Sequence, residues 1–280
     1  MIKALILDID GVILGHKEGT NFPLPTPEVQ ERLQNLSKNG VAISLCTVKA
    51  YFAVKPILEA CGIEDNYHVT DAGATIIHGK TEKIETSLIK TTSAKALIEE
   101  LRQTNIFTEW YCGNEYFALP HSDRIILDGR TKLLGRQATM LSEATQNNIS
   151  KIITLPTDEW QTSQLKEIAQ HYTKHAAMHW GINPSLVPKM AAFFTNPQAT
   201  KRTGVQKLSA LQKISLTNTL AMGDSTNDWT FMELCGSVAT LDNGSPELKE
   251  LVKAKGERGY ISSKSVDENG IIAALDYFKL

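Results

Sequence analysis

The sequence predicts an α/β protein, a doubly wound and mostly parallel sheet interrupted by an inserted α+β module. Three observations carry this. Short apolar runs alternate with helically spaced apolar residues through residues 3–70. Near Gly73 the rhythm changes to paired short strands, and from Ala191 the first rhythm returns. The returning part, like the first, ends a strand in carboxylates. The boundaries read 1–78 and 190–280 for two parts of one core, and 79–189 for the insertion.

The first run, Lys3-Ala4-Leu5-Ile6-Leu7, leads into Asp8-Ile9-Asp10-Gly11-Val12. Alternate strand residues share a face, so Asp8 and Asp10 point the same way at the end where open α/β sheets bind ligands. Like charges this close are tolerated where a cation or a proton sits between them, although Asp and Gly also mark ordinary turns. Thr26-Pro27-Glu28 offers a helix cap, a first-turn proline and an acid, and Val29, Leu33 and Leu36 follow at helical spacing until Gly40. Residues 41–47 form a strand buried on both faces and ending in the Thr47 hydroxyl. A second helix stops at Gly62, with Pro56 leaving its start open, and Tyr67-His68-Val69-Thr70 reads as a third parallel strand.

Past Gly73, residues 74–78 and 83–85 read as one hairpin, and 107–111 with 115–119 as another. Thr91, Thr92 and Ser93 offer a cap for a helix through Leu97, Leu101 and Arg102. Residues 151–155 read as a strand and 159–172 as a second amphipathic helix, while 139–150 fit helix or loop equally. In the returning core, residues 201–211 are helical and 218–222 form a strand that runs into Gly223-Asp224-Ser225-Thr226-Asn227-Asp228. A helix follows through Phe231, Met232 and Leu234. Strands at 237–240 and 259–261 and helices near 248–252 and at 270–278 complete the chain.

Composition sets bounds. The 280 residues suffice for one large or two modest domains, with 42% apolar and 21% charged residues, as in ordinary globular proteins. A net charge of −2 gives no bulk attraction to nucleic acid or anionic membrane. No apolar run approaches the roughly 20 residues that span a bilayer, and the first run meets Asp8 too soon for a signal sequence. Cys46, Cys61, Cys112 and Cys235 are widely spaced without a CxxC pair, which favours buried reduced thiols in a cytoplasmic protein over disulfides or zinc.

Four features fall at the ends of core segments: Asp8-x-Asp10, Thr47, Lys201 and the Gly223–Asp228 stretch. Singly, Thr47 reads as a helix cap, Lys201 as a surface lysine, and Asp224 and Asp228 as helix-start acids. Together they bring four carboxylates, a hydroxyl and an ammonium to one sheet edge. In order, these residues resemble the four motifs of the haloacid dehalogenase (HAD) superfamily. The insertion is similar to the C2-type cap of its Cof-like sugar-phosphatase branch. Val238-Ala239, Asn243-Gly244, Lys249 and Asp267-Glu268-Asn269-Gly270-Ile271 also resemble that branch.

The resemblance implies a Rossmann-like HAD core and a Mg²⁺-dependent phosphatase acting on a small phosphorylated metabolite, with a sugar phosphate the expected class. It implies Asp8 as a nucleophile forming an aspartyl-phosphate, and Asp10 as the acid that protonates the leaving oxygen and then activates water. It implies Mg²⁺ held by the Asp8 carboxylate, the Asp10 carbonyl, Asp224 and waters, with Asp228 as direct or supporting ligand. Thr47, the Val48 N–H, Lys201 and Asn227 make the implied substrate-binding set, with Lys201 also neutralising Asp8. A phosphotransferase or phosphomutase with the same intermediate, or a non-catalytic binding or regulatory member, is the alternative. No nucleic-acid or membrane partner is expected, and monomer and homodimer stay open.

Departures from the motifs are specific. The Thr-Gly-Arg of the second motif is Thr47-Val48-Lys49, the Asn-Gly-Ala after the third strand is Ala72-Gly73-Ala74, and the Lys-Gly of the third motif is Lys201-Arg202. The cap, closing over the core in that family, implies specificity contacts among Trp110, His121, Arg124, Arg130, Lys132, His179 and Trp180. For any one of them the surface or packing reading outweighs the ligand reading. Asn183-Pro184-Ser185 lies where a hinge or substrate loop falls.

Overall fold

The structure, a computed structural model, describes residues 2–120, 123–182 and 190–280. The chain begins with β1 (Ala4–Leu7), α1 (Pro27–Lys38), β2 (Ala42–Leu45), α2 (Tyr51–Cys61), β3 (Tyr67–Thr70), β4 (Thr75–His78) and β5 (Ile84–Thr86). There follow α3 (Thr91–Arg102), β6 (Phe107–Cys112), β7 (Glu115–Ala118), α4 (Arg124–Leu134), β8 (Thr139–Met140), β9 (Lys151–Leu155), α5 (Glu159–Tyr172), β10 (Ala177–Ile182) and β11 (Met190–Thr195). The chain closes with α6 (Lys201–Gln212), β12 (Thr219–Met222), α7 (Thr226–Met232), β13 (Ser237–Thr240), α8 (Pro246–Lys253), β14 (Gly259–Ile261) and α9 (Gly270–Tyr277). One unit comprises Met1–Lys49, Val54–Glu85 and Thr200–Leu280; the other comprises Ala50–Ala53 and Thr86–Ala199.

In the first unit five strands pair in the order β14-β13-β12-β1-β2, every ladder parallel. The strands leave β1 on one side through β2, and the chain re-enters at β12 on the other side. The carboxyl ends of β1 and β12 therefore form the topological switch point, where such sheets bind ligands. All four residues of β1 are buried, which is why its sequence shows no alternation. Thr26 accepts the Val29 N–H and Pro27 opens α1, whose Val29, Leu33 and Leu36 bury. Pro56 sits inside α2, where the burial of Val54, Ile57, Leu58 and Cys61 outweighs the roughly 3 kcal/mol a proline costs a helix interior.

Two connections position the site. A Cβ on Gly73, at φ +99°, would lie 2.1 Å from the Thr200 carbonyl oxygen, so glycine lets the exit of β3 abut the start of α6. Thr200 and Thr203 form a reciprocal capping pair that starts α6 at Lys201. At the far end of the chain, Asn21 donates to Asp267 Oδ1 at 2.7 Å, Thr26 donates to Asn269 Oδ1 at 2.8 Å, and Asn269 donates to Glu28 Oε2 at 2.7 Å. The Asp267-Glu268-Asn269 stretch thus fastens the loop that follows β1.

β3 meets the end of β2 in parallel through the bridge Cys46↔Val69, as the sequence reading expects, and on its other side pairs antiparallel with β4 in a three-stranded sheet with β5.

In the second unit six strands pair in the order β10-β11-β9-β6-β7-β8, antiparallel except β7 with β8. All six residues of β6 are buried because both faces are covered. Alternation sends Trp110 and Cys112 to a cluster with Leu97, Ile98 and Leu101 of α3 and Leu165 of α5. Phe107 and Tyr111 join Ile126 and Leu134 of α4 on the other face. Glu109 shares that face, fully buried, and Arg130 Nε donates to its two oxygens at 3.1 and 3.2 Å while the Tyr111 hydroxyl donates to Oε1.

The boundaries differ from the 79–189 insertion and the 190–280 return. β5 pairs beside β4 in the first unit, and β11 pairs with β10 and β9 in the second. The run Met190-Ala191-Ala192-Phe193-Phe194-Thr195, where the sequence rhythm places the return to the core, is a strand of the second unit's sheet. The second unit also holds α4, a third helix beyond the two expected, started by the Asp123 carboxylate, which accepts the Ile125 and Ile126 N–H groups. Lys90, not a Thr or Ser, occupies the cap position of α3, and the Thr91 hydroxyl donates instead to the Asn147 carbonyl at 2.7 Å.

Candidate active site

Strand register decides which residues reach the sheet edge. Leu7 is level with Met222 of β12 and Leu45 of β2. The residues beyond them are Asp8, Gly223-Asp224 and Cys46-Thr47, and the Asp8 N–H donates to the Met222 carbonyl at 3.0 Å. From the start of α6, Lys201 Nζ donates to Asp8 Oδ1 at 2.9 Å and to Asp228 Oδ1 at 2.6 Å. One carboxylate oxygen from each of Asp8, Asp224 and Asp228 lies within 4.8 Å of the others. Gly11 sits at φ +76°, and a Cβ there would lie 2.3 Å from Asp224 Oδ2, so glycine lets the turn after Asp10 pass beside Asp224. Asn243 Nδ2 donates to the Gly11 carbonyl at 2.8 Å while its Oδ1 accepts the Val266 N–H at 2.8 Å.

The charges divide unequally. Asp228 Oδ2 accepts the Asp224 and Ser225 N–H groups at 3.1 Å each and the Ser225 hydroxyl at 3.0 Å. Burial pushes the Asp228 carboxyl up, but the Lys201 charge and these donors outweigh it and hold the group below its ordinary value. Burial, opposed by Lys201 and reinforced by Asp228 and Asp10, pushes Asp8 up to about 7. Burial and the repulsion of Asp8 and Asp228 push Asp224 up to about 8. Burial works against the Lys201 charge, yet Asp228 and Asp8 hold its ammonium well above the usual lysine value. A largely buried, all-oxygen donor set of three carboxylates fits a hard divalent cation such as Mg²⁺.

The second motif forms a clamped loop. Thr47 is fully buried; its N–H donates to the Val69 carbonyl at 2.9 Å and its Oγ1 accepts the Lys49 N–H at 3.1 Å. With that lone pair engaged, the Thr47 hydroxyl proton is available for a ligand oxygen. The Asp71 N–H donates to the Lys49 carbonyl at 2.9 Å and the Ala72 N–H to the Thr47 carbonyl at 3.1 Å. Asp71, Ala72 and Gly73 all have positive φ, at 51°, 59° and 99°. Two non-glycine residues in that region cost about 1–3 kcal/mol each, strain of a kind that gathers at functional sites. Val48 stays 39% exposed, while Lys49 is buried with Nζ 3.0 Å from Asp10 Oδ1.

The structure therefore brings Asp8, Asp224, Asp228 and Lys201 together, with Thr47, Val48 and Asp10 on the adjoining loops. The Asp10 carboxylate lies outside the three-carboxylate cluster. Asn227 is exposed on the first turn of α7. Arg202 is turned to the Thr230 carbonyl, at 3.2 Å, and to the Glu233 carboxylate. Sequence reasoning left the Lys49 side chain unplaced and missed the Asn243 and Ser225 contacts. The Ser-x-x-Asp spacing of Ser225 and Asp228 is a legible capping signal, whereas the Asn243-Gly244 resemblance marks the residue but not its contacts with Gly11 and Val266.

In the second unit, Trp110 is buried with Nε1 donating to Gln146 at 2.9 Å, and Trp180 packs on the same cluster. Arg130 is the buried partner of Glu109. Arg124 is exposed beside Asp128, and Lys132 is exposed. His179 lies tilted against Phe193 at 6.0 Å, and burial lowers its pKa. His121 and Asn183-Pro184-Ser185 lie outside the described residues. Cys46, Cys61, Cys112 and Cys235 are buried free thiols, and burial pushes Cys61 and Cys235 up to about 12.

Fold and site define a class: a doubly wound α/β enzyme with an acidic, lysine-neutralised centre at its switch point. Residues 5–275 match the haloacid dehalogenase-like hydrolase family, and the chain belongs to it, as a phosphatase of the HAD superfamily's Cof-like branch. It is 24% identical to the 5-amino-6-(5-phospho-D-ribitylamino)uracil phosphatase YwtE of Bacillus subtilis, over 98% of this chain and 97% of that one. It is also 24% identical to the phosphatase YwpJ of the same organism, over 90% of this chain and 94% of that one. Its fold matches a haloacid dehalogenase-like hydrolase from Bacteroides thetaiotaomicron with TM-score 0.82 at 15% identity, covering 99% and 100% of the two chains. It also matches a HAD subclass IIB sugar phosphatase with TM-score 0.77 at 20% identity, covering 99% and 98%. These likenesses do not favour the phosphotransferase or non-catalytic alternatives. No described helix is long and apolar enough to cross a membrane.

Proposed function

We propose that the protein is a Mg²⁺-dependent phosphomonoester hydrolase that acts on a small phosphorylated metabolite, a sugar or polyol phosphate, through an aspartyl-phosphate on Asp8. The observation that carries this is Lys201 bonded to both Asp8 and Asp228 at the sheet edge, with Asp224 completing a carboxylate cluster. Asp8 attacks phosphorus and the ester P–O bond breaks. Asp10 gives its proton to the leaving oxygen, then takes one from the water that attacks the phosphoenzyme and releases Asp8 and phosphate. Lys201 offsets the charge of Asp8 and of the transferring group, and the Thr47 hydroxyl, the Val48 N–H and Asn227 hold phosphoryl oxygens. Asp8, Asp224, the Asp10 carbonyl and Asp228, directly or in support, would hold the cation. Mg²⁺ supplies charge that lessens repulsion between Asp8 and an incoming phosphate.

The substrate class is supported by the names of the relatives: YwtE takes a phosphorylated ribityl chain, and one structural neighbour is a sugar phosphatase. Buried free thiols are compatible with a cytoplasmic location. The test is hydrolysis of p-nitrophenyl phosphate and a panel of sugar and polyol phosphates with and without Mg²⁺. Activity should need the cation and vanish in Asp8→Asn. Turnover that survives Asp8→Asn, or no turnover on the whole panel, would overturn the proposal.

A further inference from the structure

The two buried lysines of the first unit bond three of its four sheet-edge carboxylates. Lys201 bonds Asp8 and Asp228, and Lys49 bonds Asp10. Lys49 is as buried as Lys201, at 8% and 9% exposure, so its ammonium is not a solvated surface charge. Its backbone is fixed from both sides, by Thr47 Oγ1 at its N–H and by the Asp71 N–H at its carbonyl. The residues that supply the second clamp sit in left-handed backbone at Asp71, Ala72 and Gly73. Conformational strain is thus retained next to a loop whose buried side chain reaches one carboxylate oxygen, Asp10 Oδ1, at 3.0 Å.

We infer that Lys49 is a positioning residue for Asp10: it holds the Asp10 carboxylate off the Asp8/Asp224/Asp228 cluster and leaves Oδ2 to exchange the proton. Asp10 follows Asp8 by two residues in the turn beyond β1, so an unrestrained Asp10 carboxylate can swing towards the cluster. There it would act as one more cation ligand and be lost to proton transfer. Lys49 neither gives nor takes a proton. The proton moves from Asp10 to the leaving oxygen as the P–O bond breaks, and returns to Asp10 from the attacking water. The inference rests on the acid–base reading of Asp10, and the experiment separates the two.

The experiment is a double-mutant cycle in full-length protein at saturating Mg²⁺, with p-nitrophenyl phosphate as substrate. Misplacing a reacting group by about 1 Å costs on the order of 100-fold. Lys49→Met should therefore lower kcat about 100-fold with KM within about threefold, and Lys49→Arg should keep kcat within about tenfold of the parent. In an Asp10→Asn background the same Lys49→Met change should cost less than about threefold, because groups that act as a unit are not additive. Equal losses in both backgrounds, or a loss confined to KM, would show a contact made independently of Asp10 and overturn the inference. Unchanged kcat in Lys49→Met beside a disabled Asp10→Asn would overturn it alone. Unchanged kcat in Asp10→Asn would overturn the acid–base reading itself. Lys49→Gln replaces Lys49→Met in the cycle if the latter does not melt cooperatively, with the same outcomes.

Discussion

Replacing Lys201 by methionine keeps the buried aliphatic stem and removes the ammonium that bonds Asp8 at 2.9 Å and Asp228 at 2.6 Å. Both carboxylates are nearly inaccessible, at 7% and 0% exposure, so neither regains water when the cation goes. Each lost charge-assisted bond is worth about 1.5–3 kcal/mol, and breaking a buried ion pair from one side costs about 3–5 kcal/mol. Without Mg²⁺ at pH 8, thermal unfolding should therefore fall by roughly 10 °C. The cost should shrink at pH 6. Asp8 and Asp224 already have raised pKa values, about 7 and about 8, and take up protons on the way down. Asp228→Asn in the same chain should recover about half, since the amide oxygen still accepts the Asp224 and Ser225 N–H groups without carrying charge. In Mg²⁺, kcat should fall 100- to 1000-fold, on the order of losing one preorganised stabiliser of transition-state charge. A cost below about 1 kcal/mol at pH 8, or an Asp228→Asn change that adds a further loss, would refute this account of the charge balance.

His68 is fully buried, with Nδ1 accepting the Leu45 N–H at 3.1 Å and Nε2 3.2 Å from the Ile63 carbonyl; burial lowers its pKa to about 3. A lowered histidine contributes stability that is present above pH 6.5 and lost as pH falls. The decline between pH 7.5 and 5 should thus be about 2 kcal/mol smaller in His68→Asn, read by urea unfolding. Mg²⁺ at 100 times its Kd should stabilise the protein by about 2.7 kcal/mol. Because Asp8 and Asp224 lose their stabilising protons as pH rises through about 7 and about 8, the Mg²⁺ gain in a thermal-shift titration should be larger at pH 8.5 than at pH 6. Arg130→Met should cost about 3–5 kcal/mol by stranding the fully buried Glu109, and adding Glu109→Leu should recover most of it in the same melting assay.

The fold of the first unit was legible because its strands are apolar runs that stop abruptly at chemistry-bearing residues. Asp8, Thr47 and Asp224 sit one or two residues past Leu7, Leu45 and Met222, so register alone brings them to one edge. Lys201 was legible from its place at the start of a helical segment and from the order of the four motifs. What stayed hidden depends on partners distant in sequence. Glu109 in a strand reads as an exposed face, and only Arg130 and Tyr111, from other turns of the chain, make its burial tolerable. The Lys49–Asp10 contact rests on the Asp71–Gly73 backbone, which has no local signature.

The substitution of Lys49 for the arginine of the family motif bears on how such a site can stay folded before it is loaded. Asp8, Asp10, Asp224 and Asp228 face two ammonium groups, Lys49 and Lys201, which leaves two negative charges, the charge of one divalent cation. An arginine at position 49 would present a planar fork able to hold two oxygens, whereas a lysine presents a point charge. In this chain the point charge takes one oxygen of Asp10 and leaves the other three carboxylates to Lys201 and to protons. Burial first, and then repulsion among the carboxylates, raises the pKa values of Asp8 and Asp224. Asp228, tied to Lys201 and three donors, and Asp10, tied to Lys49, stand apart as the fixed pair. The two carboxylates that the sequence reads as alternate residues of one strand end are thus set apart by their lysines, Asp8 in the carboxylate cluster with Asp224 and Asp228 and Asp10 outside it.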